Sequence, residues 1–245
     1  MIKKVIYLLI ILTFFDVATA KSQFSFVAGA KYAYNQTYEH YGSFAVLAKY
    51  KPLKYFEINV GFQGSTANVY ALPISANTIF SIPKGYLQLE NRYIYRAFVR
   101  NKNNEHSGGI ALAYFHNYIN VSLGVFGRLS SQMGKSDIAD QQRYIIEPLD
   151  FMYRIEGSVR KMDSKWNLVL RLSNYDAFQL ERWQSPMVTL IGRYNFNQNL
   201  TIWANFGIKP QGVFHVAANF YEVFTNVGVV WNVKVKTASL KEFRN

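Results

Sequence analysis

The amino-acid sequence predicts an all-β protein that folds as a single antiparallel up-and-down β-barrel. Apolar and polar residues alternate with a period of two along most of the chain, which is the periodicity of a β-strand. Short polar segments separate the alternating runs, as hairpin turns do. The 245 residues suffice for one large all-β domain. Because the chain has no cysteine, a continuous hydrogen-bond ladder or a large core must hold this domain without disulfides.

The clearest example of the pattern is the segment 151–175, in which two alternating runs flank the polar turn Lys161–Lys165. In the first run Phe151 lies on one face, while Arg154 and Glu156 lie on the other. The second run repeats this arrangement, so the segment is predicted to be an antiparallel hairpin. One face is apolar and the other carries charge, which indicates a hairpin placed between an apolar and a polar medium.

The same alternation predicts about ten strands. In chain order they are 24–34, 43–50, 55–64, 85–100, 108–129, 151–160, 166–175, 186–196, 200–208 and 213–235. The phase of the alternation changes at 115–118 and again at 221–224. A β-bulge at each change gives about ten strands, which we prefer, and a hairpin at each gives the alternative of 12. The segment 71–84 contains Pro73 and Pro83 and is predicted to be a loop.

The predicted connections differ in length between the two rims of the barrel. The short turns are 51–54, 101–106, 161–165 and 197–199, and the mostly longer connections are 35–42, 71–84, 130–148 and 177–185. The ten-strand arrangement places both ends of the chain on the short-turn rim. Short turns on one rim and longer loops on the other are typical of membrane-spanning barrels.

Residues 1–20 are predicted to be a cleaved secretory signal peptide, which makes Lys21 the first residue of the mature chain. A basic start, an apolar run and the small residues Ala18-Thr19-Ala20 support this prediction. A transmembrane anchor needs about 20 apolar residues, and this run is about half that length. No later segment has the length and apolarity of a membrane-spanning helix, so insertion into a bilayer would require a closed barrel.

Alternation alone does not decide which face points outward, since a soluble barrel is apolar inside and polar outside. Three features favour lipid outside. Many predicted strands have the length that a tilted membrane strand needs. Aromatic residues, among them Tyr50, Tyr55 and Trp166, gather near the short turns, as an interfacial girdle requires. The polar faces carry charges of both signs together with small polar residues, as a hydrated lumen does.

With these features the chain resembles the Gram-negative outer-membrane β-barrel proteins as a class. The resemblance covers about 24–235 and lies in the pattern, since no motif singles out one family. It implies a barrel over 21–235 in the outer membrane, with outer-membrane lipid and lipopolysaccharide as partners. Such barrels often end on an aromatic residue, whereas here the polar tail 236–245 follows the last strand.

No catalytic constellation is evident, so a non-enzymatic protein is predicted. The four histidines are His40, His106, His116 and His215, and none has the His-x-Ser spacing of the outer-membrane lipid hydrolases. Acidic residues predicted near the outer rim, such as Asp176 and Glu181, lack an obvious histidine partner of the kind omptin-like proteases use. The scattered histidines predict no metal site, and no cofactor is expected.

Charged residues on the predicted inner faces are the main functional lead. These nine residues are Glu57, Glu90, Arg92, Arg96, Arg154, Glu156, Arg160, Arg171 and Arg193. Their arginines could form a ladder that attracts a small anionic solute, or Arg–Glu pairs could plug a narrow lumen.

The sequence therefore predicts a small channel or a surface scaffold with an arginine-rich lumen. A barrel enzyme acting on outer-membrane lipid or polysaccharide, and a secreted soluble barrel binding an apolar ligand, are the alternatives. The formal charge is +12, and removing two lysines and one aspartate with the signal peptide leaves +11. This charge could serve an anionic lipid or polysaccharide, although we prefer the interpretation that the lysines lie in turns and loops for solubility. Nucleic acid is not expected to be a partner.

Overall fold

The computed structural model describes residues 23–35, 39–100, 102–132, 144–161, 164–182, 184–210 and 221–234. The predicted signal peptide and the polar tail lie outside these residues. Within the described part of the chain, no helix is long and apolar enough to cross a membrane.

The described residues form 12 antiparallel strands that close into one barrel, because β1 pairs with β12 as well as with β2. The strands are β1 (Gln23–Asn35), β2 (Glu39–Leu53), β3 (Phe56–Ser65), β4 (Val69–Ile82), β5 (Gly85–Phe98), β6 (Asn103–His116), β7 (Ile119–Gln132), β8 (Tyr144–Ser158), β9 (Trp166–Ser173), β10 (Met187–Asn195), β11 (Leu200–Pro210) and β12 (Tyr221–Lys234). Each strand pairs with its neighbours in sequence, so the topology is up-and-down. The predicted fold class is confirmed.

The strand count matches the 12-strand alternative and corrects the preferred count of ten. One additional strand arises at 115–118, where a hairpin with its turn at 117–118 separates β6 from β7. The other is β4, which occupies most of the segment predicted to be a loop. The phase change at 221–224 lies at the start of β12, and residues 211–220 lie outside the described chain.

Proline explains why β4 was missed. Pro73 pairs with Ile94 in the continuous ladder between β4 and β5, whereas the ladder between β3 and β4 is interrupted beside it. A proline lacks the N–H that a two-sided strand needs, so a strand tolerates it only where one ladder is already broken. Pro83 and Lys84 form the tight turn to β5, in which Lys84 adopts a φ of 67°.

The two rims differ less than predicted, because the short connections 66–68 and 99–102 lie on the rim that also carries the longer ones. Both ends of the barrel chain, at Gln23 and Lys234, lie on the rim with short turns. The turn predicted at 101–106 was assigned to this rim, but the connection 99–102 lies on the opposite one. The reason is β4, since an unforeseen strand reverses the direction of the strand that follows it.

The outer surface of the barrel is apolar. Side chains that alternate outward remain exposed to the surroundings, for example Phe44, Val60, Leu72, Leu123, Phe151 and Leu170. The inward-facing residues of the same strands include Glu90, Glu156 and other buried polar groups. A closed barrel that is apolar outside and polar inside satisfies its own backbone and suits a lipid environment, so we describe it as membrane-spanning.

Trp203 fills the interior at the seam where the barrel closes. Its indole lies across Gly228 on β12 and Gly29 on β1, which are paired with each other across that seam. A Cβ atom added to Gly228 would lie 2.5 Å from Trp203 Cζ2, and one added to Gly29 would lie 3.0 Å from the same atom. The two glycines therefore provide the space that the indole ring needs.

We predict that Gly228→Val lowers the free energy of unfolding by about 1–3 kcal/mol, because the new side chain overlaps both the backbone oxygen of Ala28 and the indole of Trp203. Urea unfolding of the detergent-refolded barrel, followed by gel mobility, measures the change. Gly157→Val is the matched control, since a Cβ at that outward-facing glycine meets nothing within 4 Å. An equal loss of stability in the two variants would contradict this role for the seam.

Candidate functional site: a lumen divided by an inward-folded loop

In the connection between β9 and β10, residues 174–186, the described residues 174–182 fold back into the barrel rather than projecting from its rim. Asn174, Tyr175 and Leu180 are all 0% exposed, and Tyr175 and Leu180 form a β-bridge. The Asp176 carboxylate accepts backbone hydrogen bonds from Phe178 (2.7 Å) and Gln179 (3.0 Å), which fixes the tip of the loop as a tight turn. We call residues 174–186 the lumen loop.

An apolar patch on the inner wall seats the lumen loop. Leu180 and Tyr175 belong to one buried cluster with the wall residues Ala71, Ile94, Ala111, Phe126 and Met152, and Phe178 packs against it. These wall residues come from β4 to β8, where the inner faces would otherwise be polar. Burying this apolar surface under the loop removes it from water and stabilises the inward-folded position.

Tyr175 anchors the loop on the side that faces the short-turn rim. Its hydroxyl lies 2.7 Å from Ser122 Oγ and 3.2 Å from Glu90 Oε2. The guanidinium groups of Arg92 and Arg154 lie 4.4 and 5.2 Å from the centre of its ring. Arg92 also donates a hydrogen bond to the backbone oxygen of Asp176. Cation–π contacts of this kind gain strength when water is excluded.

Glu181 anchors the loop on the opposite side. Its carboxylate lies 2.9 Å from Lys209 Nζ and 3.8 Å from Arg96 Nη1. Burial alone would raise the pKa of the Glu181 carboxyl, but Lys209 and Arg96 outweigh it and hold the pKa at about 2. Arg128 adds a hydrogen bond to the backbone oxygen of Leu180. The wall thus supplies three cations to one short stretch of the loop.

Two cavities lie on either side of the lumen loop. The larger, of about 620 Å³, is bordered by Tyr175 and Asp176 and reaches the short-turn rim at Asn117. The smaller, of about 210 Å³, is bordered by Phe178 and Glu181 and reaches the other rim at Ala67. The loop therefore divides the interior in two. We call the larger part the short-turn-side cavity and the smaller part the long-loop-side cavity.

The short-turn-side cavity carries paired and unpaired charges. Glu90 lies 2.6 Å from Arg154 and 3.4 Å from Arg92, and Glu156 lies 2.6 Å from Arg171. Arg193 also lines this cavity, yet no described carboxylate lies within ion-pair distance of it. An arginine without a carboxylate partner beside a water-filled cavity is available to an anion.

Most of the sequence-predicted lumen residues line the short-turn-side cavity. They are Glu57, Glu90, Arg92, Arg154, Glu156, Arg171 and Arg193. Arg96 instead borders the other cavity, where it lies 2.6 Å from Glu105. Arg160 lies in the connection between β8 and β9, with its guanidinium 3.6 Å from the centre of the Trp166 ring. Because β8 ends at Ser158, the alternation that predicted an inward Arg160 no longer applies there.

Other interior charges were missed by the sequence analysis. They are Lys31, Glu105, Arg128, Glu181, Lys209 and Glu222. Glu105 on β6 pairs with Ser130 and Arg128 on β7 pairs with Ser107, and Lys209 lies between the predicted strands 200–208 and 213–235. Strict alternation carried through that hairpin would have placed Glu105 and Arg128 inward. No sequence signal indicated that Glu181 enters the lumen on a loop.

The histidines do not converge on the cavities. His40 and His106 lie on the outer surface, where Nδ1 of each lies 2.9 Å from Tyr32 Oη and 2.6 Å from Tyr93 Oη, respectively. His116 borders the mouth of the short-turn-side cavity, and His215 lies outside the described residues. Among the described residues, no group of three or more His, Cys, Asp or Glu side chains could hold a metal ion.

No known protein family and no curated protein matches this sequence. The fold does resemble solved structures. The COG4313 outer membrane channel from Pseudomonas putida F1 is 10% identical, with a TM-score of 0.55 over 87% of this chain and 96% of that one. The KdgM porin in complex with disordered oligogalacturonate is 8% identical, with a TM-score of 0.53 over 84% and 98%.

The outer membrane phospholipase A from Escherichia coli also has a similar shape, at 9% identity and a TM-score of 0.48 over 85% and 91% of the two chains. At these identities the resemblances concern the fold. That fold is the closed barrel of Gram-negative outer-membrane proteins, as the sequence predicted.

We predict that acid releases the lumen loop through Glu181. The folded pKa of about 2 lies below the ordinary 4.5, so the Glu181 carboxylate stabilises the seated loop fully above pH 4.5. This stabilisation falls as the pH drops from 4.5 toward 2. A fluorophore on Ala177→Cys, in a chain with no other cysteine, should report increased mobility over that range.

In the Glu181→Gln variant the lumen loop should be mobile already at neutral pH, and its mobility should change less on acidification. A loop whose acid response is identical in the two proteins would contradict the role of this carboxylate.

Proposed function

We propose that this protein is a non-enzymatic outer-membrane channel for small hydrophilic solutes, with the lumen loop as its constriction. The main observation in support is a pair of water-accessible cavities, which the lumen loop separates and each of which reaches one rim. A scaffold without a transport path has no need of two charged cavities in line with each other. The likeness in fold to a solved channel and a solved porin is in keeping with this proposal.

The proposed solutes are anionic. Five cationic side chains line the short-turn-side cavity against four carboxylates, and Arg193 and Lys49 have no carboxylate within ion-pair distance among the described residues. Paired charges largely cancel at the position of a passing solute, and Glu57 and Asp176 offset part of the charge of Arg193 and Lys49. The cavity keeps an excess of one cationic side chain, which attracts anions. The oligogalacturonate in the KdgM porin structure is itself a polyanion, but the likeness between the two chains concerns only the fold.

A barrel hydrolase is less well supported. Ser122 and Ser107 both lie in interior networks, yet they are 0% and 1% exposed, and their hydroxyls hydrogen-bond with Tyr175 and Glu105 rather than with a histidine. A nucleophilic serine needs a base that takes its proton and a path to its substrate. His40 and His106 lie on the outer surface of the barrel beside tyrosines, and therefore outside the proposed path through the lumen.

Replacing 176–182 by a short Gly–Ser linker should raise single-channel conductance in planar bilayers several-fold, because the segment that separates the two cavities is removed. A linker of the same composition in place of 197–199 is the control and should leave conductance at the wild-type level. If the loop variant folds, by gel mobility, and still does not conduct, the protein is a closed scaffold rather than a channel.

Arg193→Gln combined with Lys49→Gln should shift the reversal potential in a salt gradient from anion toward cation selectivity. The physical reason is the loss of the two cavity cations that no described carboxylate neutralises. Arg100→Gln with Lys102→Gln removes the same charge at the opposite rim and should change selectivity less. Equal shifts in both double variants would show that overall charge, and not the cavity, sets selectivity.

A further inference from the structure

Cationic side chains collect on the rim that carries the short turns. Five of them are exposed: Lys54, Lys84, Arg160, Lys161 and Lys165. We call these five residues the cationic rim. None of the residues described in the turns of this rim, 54–55, 83–84, 117–118, 159–161, 164–165 and 196–199, is acidic, and the one acidic residue that the sequence has in these connections, Asp163, lies outside the described residues. Glu57, which follows one of these turns, lines the short-turn-side cavity instead.

Aromatic side chains encircle the barrel next to the cationic rim. Outward-facing members of this ring are Tyr55, Tyr118, Trp166, Tyr194, Phe196 and Trp231. Two cations contact the ring directly, since Arg160 lies 3.6 Å from the centre of the Trp166 ring and Lys165 Nζ lies 5.8 Å from that of Tyr194. Rings of tyrosine and tryptophan mark the boundary between hydrocarbon and water on a membrane barrel.

The position of this aromatic ring indicates which part of the surroundings the cations contact. Side chains that start at the membrane boundary and extend toward water reach the level of the lipid headgroups. Anionic headgroups attract clusters of lysine and arginine at that level, and the attraction fades within a Debye length. A soluble acidic partner would need no aromatic ring beside the cations, so the ring favours lipid as the occupant.

We propose that the cationic rim binds the headgroups of anionic phospholipids, of the phosphatidylglycerol class, in the leaflet that the short turns face. In this proposal the phosphates bind beside Lys54 and Lys84, which lie on neighbouring turns, and beside Arg160, Lys161 and Lys165, which lie in one connection. This binding does not depend on conduction, and it would hold for a closed barrel as well as for a channel. The short-turn rim would therefore bind anionic phospholipid in preference to phosphatidylcholine, which has no net charge.

The absence of cysteine makes a direct test possible. A fluorophore on Asn117→Cys lies on the exposed turn between β6 and β7, on the same rim. The full mature barrel is refolded into phosphatidylcholine vesicles that contain an equal small fraction of either phosphatidylglycerol or phosphatidylcholine with a nitroxide on the same acyl carbon. Quenching then reports how many labelled lipids of each class lie near the rim.

We expect the phosphatidylglycerol quencher to be enriched about two-fold or more over the phosphatidylcholine quencher at low salt, and less at high salt. Lys54→Gln with Lys84→Gln should lower this enrichment substantially. Arg100→Gln with Lys102→Gln is the matched control, because it also removes two positive charges. Each double variant also places one glutamine at a position of positive φ, which is 67° at Lys84 and 47° at Lys102.

Equal quenching by the two lipids in the wild type would overturn the proposal and leave an acidic macromolecule as the partner of the rim. Enrichment that survives Lys54→Gln with Lys84→Gln would also overturn it. So would an equal loss of enrichment in the control variant, because the effect would then follow the overall charge of the protein.

Discussion

The ion pair between Glu181 and Lys209 is the interaction on which the organisation of the lumen depends. Lys209 and Arg96 project from opposite parts of the wall, where Lys209 lies 3.8 Å from Glu222 and Arg96 lies 2.6 Å from Glu105. The lumen loop brings Glu181 between them, and its carboxylate joins the two wall ion pairs into one buried network. Once Glu181 is held there, Leu180 and Phe178 cover the apolar patch, and Tyr175 reaches Ser122 and Glu90 on the other side.

This arrangement combines the two possibilities that the charges suggested from sequence. Glu90, Arg154, Glu156 and Arg171 form the ion pairs expected of a filled lumen. Arg193, in contrast, borders a cavity without a described carboxylate partner, as expected of a path for anions. The wall charges are therefore paired where the loop packs, and an excess of one cationic side chain remains around the open cavity. A constriction made by a loop can be removed without dismantling the barrel, which a plug made by wall side chains would not allow.

The strands were predictable because alternation is a local property of the sequence. β5, β9 and β10 were each located within a few residues, whereas β8 begins at Tyr144, inside the segment predicted to be the loop 130–148. The inner faces of these four strands carry most of the predicted charges. β4 was missed because Pro73 is normally a strand breaker, and only the broken ladder beside it makes the residue tolerable. The inward course of the lumen loop was not predictable, since it depends on Lys209 and an apolar seat gathered from β4 to β8, which no local pattern records.

The most direct test of the divided lumen is a short bis-maleimide crosslink between Phe178→Cys on the loop and Ala71→Cys on the inner wall. Leu72→Cys paired with Phe178→Cys is the matched control, because Leu72 adjoins Ala71 in sequence but faces outward. The structure predicts efficient crosslinking of the folded barrel with Ala71→Cys and little with Leu72→Cys. Equal crosslinking of the two pairs, or none with Ala71→Cys in a folded barrel, would contradict an inward-folded lumen loop.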